Sequence, residues 1–334
     1  MVTEDFKTQD GTTSSTRIEK EFVHKTFEEN VFISSIEKVS EKTFKVEGVL
    51  PKNHTLYNDQ MSGLSACPYF IELSRQSNMA ICHLFYNIGF NANFTLISVD
   101  WNFSDDQPFL PKNFDPIIYD VEFKTFKVRE KFSIAKIVGH LYQKGENFLN
   151  GKSTFLFGNR DVDDNINDTK IKPFMPKGRA VKTELVQVKR MENALITHPK
   201  YDKETGTMNA QMIVNPNHNY FFEHPCAHVP GMMLLEAGKQ LVIGGLKTRF
   251  DFLKDSYGDL KEGRIAFSSF ASPHAEVSIE VISQTPDVQS DYVHIPISVI
   301  YYQNNQQLGG IEGIASFMDA KEMKKKSAYT SWIY

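Results

Sequence analysis

Two acid–base pairs stand three residues apart in apolar stretches of the chain, Glu72 with Arg75 and Glu236 with Lys239. On a helix that spacing puts both members on one face. A carboxylate kept beside a cation in apolar surroundings stays ionised and oriented, which suits a general base. Most pairs of this spacing are surface ion pairs of small worth. Here, however, Met232, Met233, Leu234 and Leu235 run directly into Glu236, and a charge has little reason to sit in such a helix without a role. The second signal is the run Phe221-Phe222-Glu223-His224-Pro225-Cys226-Ala227-His228-Val229-Pro230-Gly231. It places two imidazoles in a loop turning into a helix N-terminus, where backbone NH groups and the helix dipole polarise a carbonyl oxygen. Gly231 lets a thioester approach that backbone closely. The chemistry this favours is acyl transfer or hydro-lyase chemistry. Its catalytic candidates are Glu72, Arg75, His224, Glu236 and Lys239.

A second set would bind substrate: His54, Gln76, His218, His228, Gly231 and Gln240. His54 and His218 are expected at the ends of strands, where a lone histidine is usually a satisfied structural residue. Zinc is the competing chemistry for His224, His228, Cys226 and His218. Pro225 prevents a helix that would align an i,i+4 histidine pair, and the first half of the chain has no matching set, so no metal is expected. The acidic run 161–165 starts like a calcium loop, but Ile166 stands where glycine belongs and Lys172 where a bidentate glutamate belongs. No glycine-rich phosphate loop follows a strand.

The elements that position these residues occur twice. A shift of 164 carries Asn53-His54 onto Asn217-His218, Glu72 onto Glu236 and Gln76 onto Gln240. The same register superposes Phe44, Val46, Gly48 and Leu50 on Met208, Ala210, Met212 and Val214, alternation that predicts a half-buried strand. Helical spacing follows from about Pro68 to Phe85 and from Pro230 through Leu246, the second apolar on most sides. Strands are expected at Asn93 to Phe103, Phe123 to Phe157, Gly263 to Ser269 and Ala275 to Phe317. A shift of 160 aligns Tyr142-Gln143 with Tyr302-Gln303, each followed by hairpin-turn residues. Each copy thus reads as α+β, an antiparallel sheet wrapped around one long helix. Copy one takes 21–159 and copy two 183–320, with a polar linker at 160–182 and tails at 1–20, expected to be disordered, and 321–334.

Composition bounds the rest. A chain of 334 residues suits two ordinary domains, and 41% hydrophobic residues can bury a core for each. A net charge of −4 is too weak to gather nucleic acid or an anionic membrane surface. Cys67, Cys82 and Cys226 cannot all pair, which argues for a reducing, cytoplasmic compartment. No apolar leader or membrane-spanning run is visible.

The combined pattern resembles the A-factor biosynthesis hotdog family, the γ-butyrolactone-precursor synthases of actinomycete signalling, which carry two hotdog domains in tandem. Leu50-Pro51, Asn53-His54 and Glu72-Leu73-Ser74-Arg75-Gln76 match the family's first motif. Phe222-Glu223-His224-Pro225, His228-Val229-Pro230-Gly231-Met232 and Glu236-Ala237-Gly238-Lys239-Gln240 match the second. The second motif is also similar, more distantly, to the β-hydroxyacyl-carrier-protein dehydratases. The resemblance implies a tandem double hotdog, an acyl tunnel beside the helix, and the phosphopantetheine arm of a carrier (or CoA) entering between paired domains. No other cofactor is implied. The paired domains would close within one chain or, as a homodimer, between chains. The implied reaction moves a β-ketoacyl group from an acyl carrier protein to a small hydroxyl acceptor, dihydroxyacetone phosphate. A dehydratase or thioesterase of the same fold, and a non-catalytic acyl- or carrier-binding scaffold, are the alternatives. This chain departs from the family at Lys239, where arginine is usual, and at Ala227, commonly acidic. Copy one has Asp59-Gln60 and Ser65-Ala66 in place of the His-Pro and Val-Pro-Gly elements.

Overall fold

Alternation in Thr43–Gly48 acts as period-two patterning dictates: Phe44, Val46 and Gly48 are buried and Lys45 is exposed. This strand, β2, pairs antiparallel with β1 (Ile33–Lys38). The computed structural model describes residues 18–104, 115–128, 132–159, 174, 176–223, 226, 228–289 and 291–323. After β2 comes helix α1 (Ala66–Tyr86), longer at both ends than the apolar spacing predicts. Pro68 falls in its first turn, where a missing NH costs nothing, and Asn87 ends it in the left-handed conformation (φ 55). Strands β3 (Ala92–Phe103), β4 (Ile117–Lys127), β5 (Ser133–Gln143) and β6 (Glu146–Asn159) follow.

The second half repeats the sequence of elements: β7 (Lys200–Tyr201), β8 (Thr207–Gln211), helix α2 (Gly231–Arg249), β9 (Ser256–Phe267), β10 (Ser278–Ser283), the short β11 (Asp287–Val288), β12 (Val293–Gln303) and β13 (Gln306–Asp319). The sheet order is β1-β2-β4-β5-β6-β3-β9-β13-β12-β10-β8-β7, so it reads alike from either end. The halves join where β3 pairs antiparallel with β9, setting Asp100 opposite Arg264. Those side chains form an ion pair of 2.8 Å.

Both expected hairpin turns form. Lys144 and Gly145 (φ 53 and 81) join β5 to β6, and Asn304 and Asn305 (φ 51 and 62) join β12 to β13. Two consecutive left-handed residues give the turn whose twist matches the strands. From Met232 to Lys247 every residue of α2 is buried. Tyr301 donates to the Leu234 carbonyl at 2.8 Å across Gly238, where a Cβ would lie 2.1 Å from the phenol oxygen. Glycine at that turn lets helix and sheet approach.

Three expectations need correcting or placing. His54 and His218 lie in the connections between strand and helix, not at strand ends, because β2 stops at Gly48 and β8 at Gln211. Pro51 and Pro216, which lack a ladder donor, stand just before them. Of the 160–182 segment, only 174 and 176–182 are among the described residues, and there Ala180 bridges to Thr197. Of the tails, 1–17 and 324–334 lie outside the described residues, whereas Ile18 and Met323 are buried. Among the described residues no helix is long and apolar enough to cross a membrane.

Candidate active site

Helix α1 delivers Glu72 and Arg75 to one place. Arg75 Nε and Nη2 donate to the two Glu72 oxygens at 2.7 and 2.8 Å, a bidentate pair. Gln76 Nε2 adds a bond to Glu72 Oε1 at 3.0 Å. Burial opposes ionisation of Glu72, but Arg75 and Lys25, with the hydrogen bonds from Arg75 and Gln76, outweigh it and hold the carboxyl well below the usual range. Lys25 gives no signal in the sequence. It follows a single turn, Lys20–Val23, whose end is set by His24 in the left-handed region (φ 53). Its ammonium stands 3.5 Å from Glu72 Oε1 and 2.8 Å from Glu223 Oε1, and 4.1 Å from the centre of the Tyr220 ring.

Glu223 and Tyr220 belong to copy two, so the Glu72 cluster is built from both halves. Glu223 Oε2 also accepts from the Thr26 amide (3.0 Å) and from Asn30 Nδ2 (3.1 Å). Asp59 is its counterpart at the 164 shift, and accepts from the Lys189 and Arg190 amides and from Asn193 Nδ2. Each half thus sends a carboxylate from the loop before its helix into the other half. Tyr57 and Tyr220 share a hydrogen bond of 2.9 Å across the same boundary. Burial, their largest influence, keeps both phenols protonated.

His54, His218, Gln76 and Gln240 occupy matching posts. His54 Nδ1 accepts from the Leu56 and Tyr57 amides, both at 3.1 Å, and its Nε2 faces Asn30 Oδ1 at 2.9 Å. Two NH groups on Nδ1 put the proton of the neutral ring on Nε2. His218 repeats this with Tyr220, Phe221 and Asn193. Burial, joined at His54 by Lys25, lowers both imidazoles to about 4. Gln76 bonds the Phe32 amide and the Asn30 carbonyl, and Gln240 bonds the Leu195 amide and the Asn193 carbonyl. These bonds anchor each helix to its own half.

Glu236 and Lys239 form a different kind of cluster. Lys239 Nζ is 2.9 Å from Glu236 Oε2 and donates to Ser65 Oγ of copy one, with the two side chains only 1% and 3% exposed. Asp259 on β9 accepts from the Ala66 and Cys67 amides at 3.1 and 3.4 Å, so the start of α1 already holds a carboxylate. Burial raises Asp259 to about 6, opposed by Lys239 and its backbone bonds. The Arg75 side chain, by contrast, is 28% exposed. It lines a pocket whose walls include Ile71, Met79, Phe94, Leu96 and Phe155. Among the described residues Arg75 Nη1 donates only to Met79 Sδ, at 2.8 Å. A thioether is a weak acceptor and yields readily to an oxygen.

The structure therefore brings Glu72, Arg75 and Gln76 together with Lys25 and Glu223, and separately Glu236, Lys239 and Gln240 with Ser65 and Asp259. Sequence reasoning missed Lys25, Glu223, Ser65 and Asp259. His224 lies outside the described residues. Its predecessor Glu223 is tied to Lys25, which also touches Glu72, so the expected partnership of this loop with Glu236 gains no support from Glu223. His228 packs on Phe270 (ring centroids 4.6 Å), and Gly231 is the first residue of α2. Among the described residues no group of three or more His, Cys, Asp or Glu could hold a metal.

An all-antiparallel sheet packed on buried helices that carry these carboxylate–cation pairs places the chain in the hotdog class. It belongs to the family of A-factor biosynthesis hotdog domains, whose model matches residues 7–128 and 170–319. A 2-oxo-3-(phosphooxy)propyl 3-oxoalkanoate synthase of Streptomyces griseus is 25% identical over 233 residues, covering 66% of this chain and 72% of the relative. A second synthase of the same name, from Streptomyces griseus subsp. griseus, is also 25% identical and is covered over 69% of its length. Among solved structures, an acyl-CoA thioesterase II from Mycobacterium marinum is 10% identical with a TM-score of 0.46, over 90% of this chain and 98% of that one. A bifunctional dehydratase-cyclase domain of ambruticin biosynthesis is also 10% identical, with a TM-score of 0.44 over 89% and 99%.

Proposed function

We propose that the protein is an acyltransferase moving a (β-keto)acyl group from an acyl-carrier-protein thioester to a small hydroxyl acceptor such as dihydroxyacetone phosphate, for a γ-butyrolactone-like or other secondary metabolite. The observation that carries this is the ionised, immobilised Glu72, whose partner Arg75 opens onto an apolar pocket. The likeness to the Streptomyces synthases supports it. In this reading the chain is a tandem double hotdog, each sheet around its long helix, and it works in the cytoplasm. The acyl chain lies in the pocket, the phosphopantetheine arm enters between the halves, and no resident cofactor takes part.

As it stands Glu72 is a weak base, because every neighbour favours its anion. An acceptor phosphate drawing on Arg75 and Lys25 removes that support, and the proton affinity of Glu72 rises toward the range a general base needs. The acceptor hydroxyl then gives its proton to Glu72 as its oxygen attacks the thioester carbonyl. Amides at the start of α2, near Gly231, hold the oxyanion. Collapse breaks the C–S bond, and the proton taken up by Glu72 passes by way of His224 to the leaving thiolate. Glu236 and Lys239 serve structure.

Mass spectrometry of acylated carrier protein incubated with the full chain and triose phosphate tests this. Deacylated carrier together with an acyl-phosphotriose ester is the expected result. Free acid or an enoyl thioester formed without acceptor would assign the site to a thioesterase or hydro-lyase. Unchanged acyl carrier with every acceptor tried would leave only the scaffold.

A further inference from the structure

Glu223 does more than its post in the fold requires. Asp59, at the matching post before the other helix, accepts through Oδ2 from the Lys189 and Arg190 amides and from Asn193 Nδ2. Its Oδ1 stands 3.6 Å from the half-exposed Arg190 guanidinium. Glu223 gives the same duty to Oε2, which accepts from the Thr26 amide at 3.0 Å and from Asn30 Nδ2 at 3.1 Å. That leaves Oε1 for the Lys25 ammonium, at 2.8 Å, with the lysine side chain 7% and the glutamate side chain 2% exposed. One oxygen pins the loop to the other half, and the second holds a cation.

The repeat supplies the control. A shift of 163 carries Asn30 onto Asn193 and Phe32 onto Leu195, residues that make matching bonds to Gln76 and Gln240. In that register Lys25 falls on Val188, which is buried. The fold thus takes an apolar side chain where Lys25 stands, and pinning the loop needs no lysine. In the half with Val188, Glu236 is engaged by Lys239 of its own helix at 2.9 Å, in a pair shut away from solvent. In the half with Lys25, the ammonium lies 3.5 Å from Glu72 Oε1, farther than from Glu223, and 4.1 Å from the centre of the Tyr220 ring. Two residues of the opposite half, Glu223 and Tyr220, therefore draw Lys25 to their side.

We propose that Glu223 is a positioning residue for Glu72: it holds the Lys25 ammonium off the base, so that Glu72 is not closed into a pair of the Glu236 kind. Arg75 is the other cation on Glu72, and it is the one that opens onto the pocket. Once substrate draws on Arg75, the distance of Lys25 sets how readily Glu72 takes a proton. The titratable groups facing Glu72 from the two loops stay neutral over the working range: burial keeps the Tyr57 and Tyr220 phenols protonated, and burial with Lys25 lowers His54 to about 4. Moving the ammonium from 3.5 to 2.8 Å, at an effective dielectric of 20, weakens the proton affinity of Glu72 about tenfold.

The inference rests on Glu72 being the base of the proposed reaction, and two measurements on the full chain separate the claims. The first needs no turnover. In urea unfolding, Glu72→Gln and Glu223→Gln together should cost more stability than the two single replacements summed, because Lys25 keeps a carboxylate until both are gone. Additive losses overturn the sharing. The second follows kcat from about pH 5 to 9, above the His54 titration. Glutamine at 223 keeps an oxygen for the Thr26 amide but releases Lys25 to Glu72, so the acid limb should move down by about one unit and the plateau should fall. Turnover lost at every pH with the limb unmoved, or a native profile, would make Glu223 an anchor alone and overturn the proposal. If Glu223→Gln does not fold, the charge-neutral Lys25→Gln/Glu223→Gln carries the test: its limb should rise, Glu72 having lost the cation, and an unmoved limb overturns the proposal. Full turnover in Glu72→Gln would refute the base and the positioning role together, while the stability cycle still judges the sharing. With no turnover to follow, that cycle decides alone.

Discussion

Replacing Lys239 with methionine should cost the protein stability and leave its chemistry alone. The ammonium lies 2.9 Å from Glu236 Oε2, both side chains are almost wholly buried, and Asp259 takes part in the same cluster. At an effective dielectric of 20, two unit charges at that separation attract by about 6 kcal/mol. Desolvation of the ammonium offsets part of this, and loss of one member of a buried pair typically costs about 3–5 kcal/mol because the other charge is stranded. Methionine fills similar volume, so little cavity cost adds to it. Removing both charges in Lys239→Met/Glu236→Gln should recover most of the loss. Urea midpoints of native, single and double variants, with turnover measured per folded molecule, make the cycle. The reasoning fails if Lys239→Met keeps native stability but loses turnover, or if the double variant is no more stable than the single one.

Glu72→Gln should lower turnover about 10²- to 10⁴-fold, the usual worth of a positioned base, with a smaller stability loss than Lys239→Met because Lys25 keeps Glu223 and Arg75 is partly solvated; a steady-state assay beside the urea midpoint decides. Asp259 holds its proton up to about 6 when folded but only to about 3.8 when unfolded, so its contribution is complete below pH 4 and is lost as pH rises through 6. The loss is about 3 kcal/mol, and Asp259→Asn should abolish that slope in midpoints taken from pH 4 to 7. His54 and His218 titrate in the other sense: both rings are lowered to about 4, so stability present above 6.5 falls as pH drops toward 4, and His54→Asn should flatten this acid limb in the same series.

Much of this architecture is visible in the residues themselves. The helices, the strand before each, and the two hairpin turns are fixed by local periods and by turn chemistry at Lys144-Gly145 and Asn304-Asn305. Glu72 and Arg75 were found because a three-residue spacing on a helix guarantees their meeting. Lys25, Glu223, Ser65 and Asp259 were hidden because each acts across the boundary between the halves, and that boundary depends on the β3–β9 register. A signal existed for one of them: the 164 shift lays Glu223 on Asp59, two carboxylates at the same post before each helix. The equal treatment of Glu72 and Glu236 could not be broken from sequence either, since both sit in apolar stretches. It is solvent access to Arg75, and the carboxylate of Asp259 on the start of α1, that separates them.

The seam where Asp100 meets Arg264 has a consequence for how the two centres can diverge. In an assembly of identical subunits every substitution is written into both centres at once, so a change that closes one closes the other. Here the facing strands are encoded separately, and even the two residues that meet at the seam are opposite in charge. One centre is thereby free to be filled with its own ions as ballast while the other keeps an opening. Under the acyl transfer proposed above, the stoichiometry expected of such a chain is one acyl group per polypeptide, half that of a pair with two open centres.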